Sequence, residues 1–101
     1  MTADLLSGCA TTVIRDDSMV SVYGPRGFKA GAKIVFDPSD TPRPGCFVVA
    51  AIKDGDEEIV REYAVRDGGR FLVPMNPAYD IIRLDDGVTI KGVVKHVQAA
   101  A

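Results

Sequence analysis

Glycine and proline interrupt this chain so often that no long helix fits between them. Gly24-Pro25, Gly31, Pro42, Pro44-Gly45, Gly55, Gly68-Gly69, Pro74, Pro77 and Gly87 leave only short uninterrupted stretches. Proline removes a backbone donor and clashes with the preceding helical turn, and glycine costs about 1 kcal/mol in a helix interior. The residues between the breaks are rich in Val, Ile, Phe and Tyr, which suit a pleated and half-buried surface. Six strands are expected: Thr11–Arg15, Lys33–Asp37, Cys46–Ile52, Glu57–Val65, Arg70–Pro74 and Val88–Val97. The class is therefore mainly β, built of short twisted strands.

Two runs say more than their propensity. Phe47–Ile52 is apolar throughout, which predicts a strand covered on both faces. In the next run Ile59, Arg61 and Tyr63 alternate with Val60, Glu62 and Ala64, so its two faces meet different surroundings. A hairpin through Lys53–Glu57 joins these runs.

With 101 residues and 47% hydrophobic content, the chain has room for one ordinary domain and its core. Met1–Ala10 has no clear pattern and reads as an arm or linker remnant, residues 11–98 as the domain, and Ala99–Ala101 as a frayed tail. The charge balance, 12 basic against 14 acidic residues, carries no electrostatic footprint for nucleic acid. Cys9 and Cys46 lack metal-ligand spacing and have only His96 for company, so no metal or other cofactor is expected. Unbridged thiols, the absence of a leader pattern and the shortness of the apolar runs lead to a cytoplasmic reading without a membrane span. Gly24–Gly27 lacks the Lys-Ser/Thr ending of a phosphate loop and reads as a turn.

Ser18, in the stretch "IRDDSMV", is open to two readings. Asp and Ser both bend chains by bonding their own backbone, so a turn residue is the plainer one. Its neighbours supply the other. "DDSM" (Asp16–Met19), "FKAGAKIVFDP" (Phe28–Pro38), "RPGCFVVAAI" (Arg43–Ile52), "RFLVPMNPAYDII" (Arg70–Ile82) and "IKGVV" (Ile90–Val94) occur in one order over roughly nine-tenths of the chain. Together they resemble the C-terminal domain of LexA and the lambda-type phage repressors, the self-cleaving Ser–Lys peptidases that include UmuD. The resemblance implies a β-rich fold of the LexA and signal-peptidase kind, with Ser18 at the nucleophile position and a neutral lysine on a neighbouring strand as its base.

At that second position stands Arg61, 43 residues after Ser18. A guanidinium keeps its proton in a protein, so Arg61 cannot act as a general base. Its default role is a structural ion pair with Glu58, Glu62 or Asp17. Lys53 reads as a solvated turn residue, Lys91 and Lys95 lie outside the motif, and His96 reads as a surface or interface residue, so none is expected to replace the base. Other departures from the family pattern are Asp16 for a usual glycine, Ala32 after Gly31 where aspartate is common, and Cys46 for a usual aspartate. The family's Ala-Gly or Cys-Gly cleavage site lies farther upstream than the residues before Ser18 extend, and "GCA" (Gly8–Ala10) has the order reversed, so no cleavage segment is expected here.

Two functions follow from the resemblance. In the favoured one the chain is the oligomerisation and regulatory domain of a phage-type transcriptional repressor with a degenerate peptidase site. It forms a homodimer or higher homo-oligomer, reaches operator DNA only through a domain not in this chain, and answers to an antirepressor or a RecA-type coprotease. The alternative is an active self-cleaving Ser–Lys peptidase. Ideal alternation along Val88–Val97 puts Val88, Ile90, Gly92, Val94 and His96 on the core face, leaving Val93 and Val97 among lysines on the other. Val93 and Val97 are thus the expected interface residues.

Overall fold

A computed structural model describes residues 8–16, 18–20, 27–52, 58–84 and 87–98. The hairpin expected at Lys53–Glu57, the turn from Gly24, the first seven residues of the arm, Asp17 and the tail lie outside the described residues. The described chain forms strands β1 (Ala10–Val13), β2 (Lys33–Asp37), β3 (Phe47–Ile52), β4 (Glu58–Arg66), β5 (Gly69–Val73), β6 (Ile82–Arg83) and β7 (Val88–Gln98). All belong to one antiparallel sheet ordered β1-β2-β7-β3-β4-β5-β6. Among the described residues no helix is long and apolar enough to cross a membrane.

β3 lies in the interior of the sheet between β7 and β4, and its two faces feed two cores. Val49 joins Ile14, Met19, Ile34, Phe36 and Val60 in one cluster. Val48 and Ala50 join Ile59, Tyr63, Leu72 and Val93 in the other. This is why Phe47–Ile52 carries no polar residue: neither face meets water. The turn from β4 to β5 puts Asp67 (φ 52°) and Gly68 (φ 81°) in left-handed backbone, where glycine is unhindered and aspartate is among the more tolerant residues.

The face assignment expected for the last strand is corrected by the structure. β7 carries two register shifts, one against β3 between Val49 and Ala50 and one against β2 between Val35 and Phe36. Gly92 pairs with Val49 and Ile90 with Ala50, so Lys91 falls between the pairs; Lys95 is skipped in the same way between Val94 and His96. Each extra residue reverses the alternation of all that follow. Val88, Ile90 and Val93 therefore face the second cluster, and Val94 and Val97 the first. Val93 is only 2% exposed, so it is a core residue and not part of an exposed face. Val97 is half-buried against the first cluster, and His96, assigned to the core face, is exposed. The bulges turn Lys91 and Lys95 outward, where they pair with Glu58 (2.9 Å) and Asp40.

Candidate functional site

Ser18 sits in the segment between β1 and β2, and three backbone bonds from separate parts of the chain fix that segment. The Ile14 amide donates to Ala32 O (3.0 Å), the Phe28 amide to Met19 O (2.6 Å) and the Asn76 amide to Ser18 O (2.9 Å). Met19 anchors the turn by burying its side chain completely in the first cluster. The "PMNPAY" segment, expected as a shaped loop, is one: Asn76 Oδ1 accepts the Ala78 amide at 3.0 Å and bends the chain locally. It also braces the site, through the Asn76 amide on Ser18 and through Tyr79, whose ring centroid lies 5.9 Å from Arg61 Cζ.

β4 carries Arg61 to the same place. Its pairing with β5 begins only at Glu62, so the stretch Glu58–Arg61 is bonded to β3 on one side and faces the Ser18 segment with its other edge. Arg61 Nη1 donates to Ser18 Oγ at 2.6 Å and to its own neighbour's carbonyl, Val60 O, at 2.9 Å. Ser18 Oγ in turn donates to Asp16 Oδ1 at 2.5 Å, and the Ser18 amide donates to the same oxygen at 3.0 Å. Ser18 is 1% exposed and Arg61 5%. Their positions in sequence are far apart, yet the hydroxyl and the guanidinium share one buried hydrogen bond.

The electrostatics run from Arg61 through the serine to Asp16. Burial pushes the Asp16 carboxyl upward, but the Ser18 hydroxyl, the Ser18 amide and the Arg61 charge together outweigh it and hold the carboxyl below its ordinary value of 3.8. Asp16 is thus an anion that offsets the buried cation, with the hydroxyl as bridge. The sequence marks Asp16 only as a departure from a usual glycine of the resembling family. The signal was present in the Asp-x-Ser spacing, which lets a carboxylate accept both amide and hydroxyl two residues on.

The arrangement holds Ser18 Oγ between a donor, Arg61, and an acceptor, Asp16. Arg61 stays protonated and occupies a lone pair that a nucleophile would need free. Asp16, more acidic than usual, is a poor acceptor for the proton of a hydroxyl, which is many pKa units weaker as an acid. The space beside them is a cavity of about 20 Å³ lined by Ile14, Arg15, Asp16, Ser18, Glu58 and Arg61 among others, room for a single water. Glu58, one of the partners expected for Arg61, is engaged elsewhere. It accepts from Thr12 and pairs with Lys91, and these contacts, the Thr12 hydrogen bond foremost, keep its carboxyl below 4.5. Asp17, another expected partner, lies outside the described residues. Lys91, Lys95 and His96 do not line the cavity, and Lys53 lies outside the described residues. No group of three or more His, Cys, Asp or Glu that could hold a metal occurs among the described residues.

Comparisons with known proteins show which family the chain resembles. The family model described as Peptidase S24-like matches residues 4–95. The HTH-type transcriptional regulators for the conjugative elements SXT of Vibrio cholerae and R391 of Providencia rettgeri are each 33% identical over 88 residues, which is 87% of this chain and 41% of theirs. Repressor protein C2 of Salmonella phage P22 is 32% identical over 87 residues, 86% of this chain and 40% of its own. The chain thus spans about two-fifths of the length of the curated relatives it matches.

Proposed function

Because this chain belongs to the peptidase S24-like family, we propose that it is the regulatory and oligomerisation domain of a transcriptional repressor whose peptidase site has become a structural clamp. The relatives that support this carry the names of repressors and transcriptional regulators, and about three-fifths of their length lies outside the match. DNA contact then belongs to a separate domain. This chain pairs subunits and receives the releasing signal, from an antirepressor or a RecA-type coprotease, in the cytoplasm where the operator is.

One observation carries the loss of peptidase activity: the guanidinium of Arg61 lies 2.6 Å from Ser18 Oγ, where a proton acceptor would be needed. Incubation of the chain with a peptide containing Ala-Gly at mildly alkaline pH is expected to leave the peptide intact. Cleavage abolished by Ser18→Ala would overturn this reading and restore the active Ser–Lys peptidase. Sedimentation over a wide concentration range tests the other half: a lone monomer at the highest concentration would remove the oligomerisation role. With Val93 in the core, self-association has to use residues other than the Val93 face, and Val97→Asp is expected to cost the monomer stability as well.

A further inference from the structure

At the end of the sheet away from β1, one face of β4, β5 and β6 has no cover among the described residues. Glu62, Ala64 and Arg66 alternate along β4, and opposite them on β5 stand Val73, Phe71 and Gly69. Arg83 on β6 is directly opposite Phe71. The reverse face, with Tyr63, Leu72 and Ile82, goes into the second core cluster. On the open face the strands enclose a cavity of about 410 Å³, with Phe71 and Val73 as its floor, Ile81 (55% exposed) at its rim, and Arg66 and Arg83 on its wall. A Cβ at position 69 would stand 3.1 Å from the Phe71 ring, so Gly69 leaves room for that ring to pack against the backbone.

Arg66 and Arg83 have no ion pair among the described residues; Arg15, Lys29, Lys33 and Arg70 share that state, but only Arg66 and Arg83 line this cavity. Two guanidinium forks, with Asp67 as the carboxylate among the described lining residues, therefore flank a half-buried apolar floor in a molecule whose net charge is −2. β6 is the last strand of the sheet and has only two residues, so its outer backbone groups face no further strand among the described residues.

From this we infer that the face receives an extended, acidic and apolar segment of a partner protein, laid along β6 with carboxylates on Arg66 and Arg83 and aliphatic side chains on Phe71, Val73 and Ile81. An extended strand presents every second side chain to one side, so a carboxylate and an aliphatic group taking turns at positions i, i+2 and i+4 would meet the arginines and the floor together. Guanidinium forks bind carboxylates bidentately. A second copy of this chain is the poorer occupant, since two-fold packing on this face brings Arg66 and Arg83 near their own equivalents. A nucleic-acid backbone has phosphates for the arginines and nothing for the aliphatic floor. The inference goes beyond the repressor reading and does not depend on it.

The test is a titration of the isotope-labelled chain with the capped peptide acetyl-Glu-Thr-Leu-Thr-Asp-Thr-Ile-amide, in which carboxylates and aliphatic groups share one side of the extended chain, followed by amide chemical shifts. Saturable shifts centred on Arg66, Phe71 and Ile81 are expected, with affinity about tenfold weaker in Arg83→Glu, the loss of one charge-assisted contact. Arg83 is exposed, so the variant keeps the fold, and Arg83→Lys should retain part of the binding. A peptide with lysine in place of each acidic residue should not bind. The inference is overturned by absence of saturation, by shifts mapping elsewhere, by equal binding of the lysine peptide, or by a short oligothymidylate binding these residues in preference. Concentration-dependent shifts at the same residues in the chain alone would overturn it too, in favour of a second copy.

Discussion

Ser18→Ala separates a structural clamp from an idle nucleophile. The substitution removes the hydroxyl that accepts from Arg61 Nη1 at 2.6 Å and donates to Asp16 at 2.5 Å, and leaves both charges in place. Asp16 is half-buried and keeps the bond from the residue 18 amide, so most of its loss is made up by solvent. Arg61 is 5% exposed and keeps Val60 O, but loses a charge-assisted bond worth about 1.5–3 kcal/mol in a buried setting. One water in the adjoining cavity of about 20 Å³ recovers a part. The expected cost is about 2 kcal/mol, or roughly 10 °C in Tm for a domain of this size. Urea unfolding followed by circular dichroism measures it, with the slope unchanged if the folded state keeps its compactness. The same substitution in an Arg61→Met background should cost much less, because the cation that needed the hydroxyl is gone. A loss below about 0.5 kcal/mol, the range of an ordinary surface substitution, or a gain in stability would refute the clamp.

Three further outcomes follow from the same geometry. Arg61→Lys alone should give no trans-cleavage, because Asp16 holds any amine beside Ser18 in its charged form; activity is expected only with Asp16→Gly added, and a double variant that folds but stays inactive would show that the pocket cannot desolvate a lysine. Gly92→Ala should destabilise by about 2–3 kcal/mol in urea unfolding, since its Cβ would stand 2.6 Å from both Asp37 O and the Phe36 ring; a neutral result would mean β2 and β7 can part at little cost. The Asp16 and Glu58 carboxyls are held below their ordinary values of 3.8 and 4.5, so their contribution is present above those values and is lost as pH falls through the lower folded ones. Unfolding free energy should therefore decline between about pH 5 and pH 2, and Asp16→Asn should flatten that decline; an unchanged slope would remove Asp16 from the network.

The β class of this protein was legible in its sequence because its causes are local. Glycine and proline forbid long helices wherever they stand, and the uniform apolarity of Phe47–Ile52 reports burial on both faces without reference to any partner strand. Resemblance of the ordered motifs to a known family pointed to Ser18 and Arg61 as its two catalytic positions, and the guanidinium's inability to release a proton is a property of the residue alone. What the tertiary structure decided depends on neighbours distant along the chain. Strand pairing with β3 and β2 inserts the bulges at Lys91 and Lys95, and these moved Val93 from an expected surface into the core; no pattern within Val88–Gln98 announces them. The partner of Arg61 was likewise settled by packing. Glu58 is three residues away on the same strand but turned to Lys91 and Thr12, while Ser18 came to the guanidinium from 43 residues away through the joint hold of Ala32, Phe28 and Asn76 on its segment. A local pattern specifies side-chain alternation only as far as the next bulge, and only the folded chain chooses where bulges fall and which buried charge meets which hydroxyl, because those choices minimise desolvation over the whole interior.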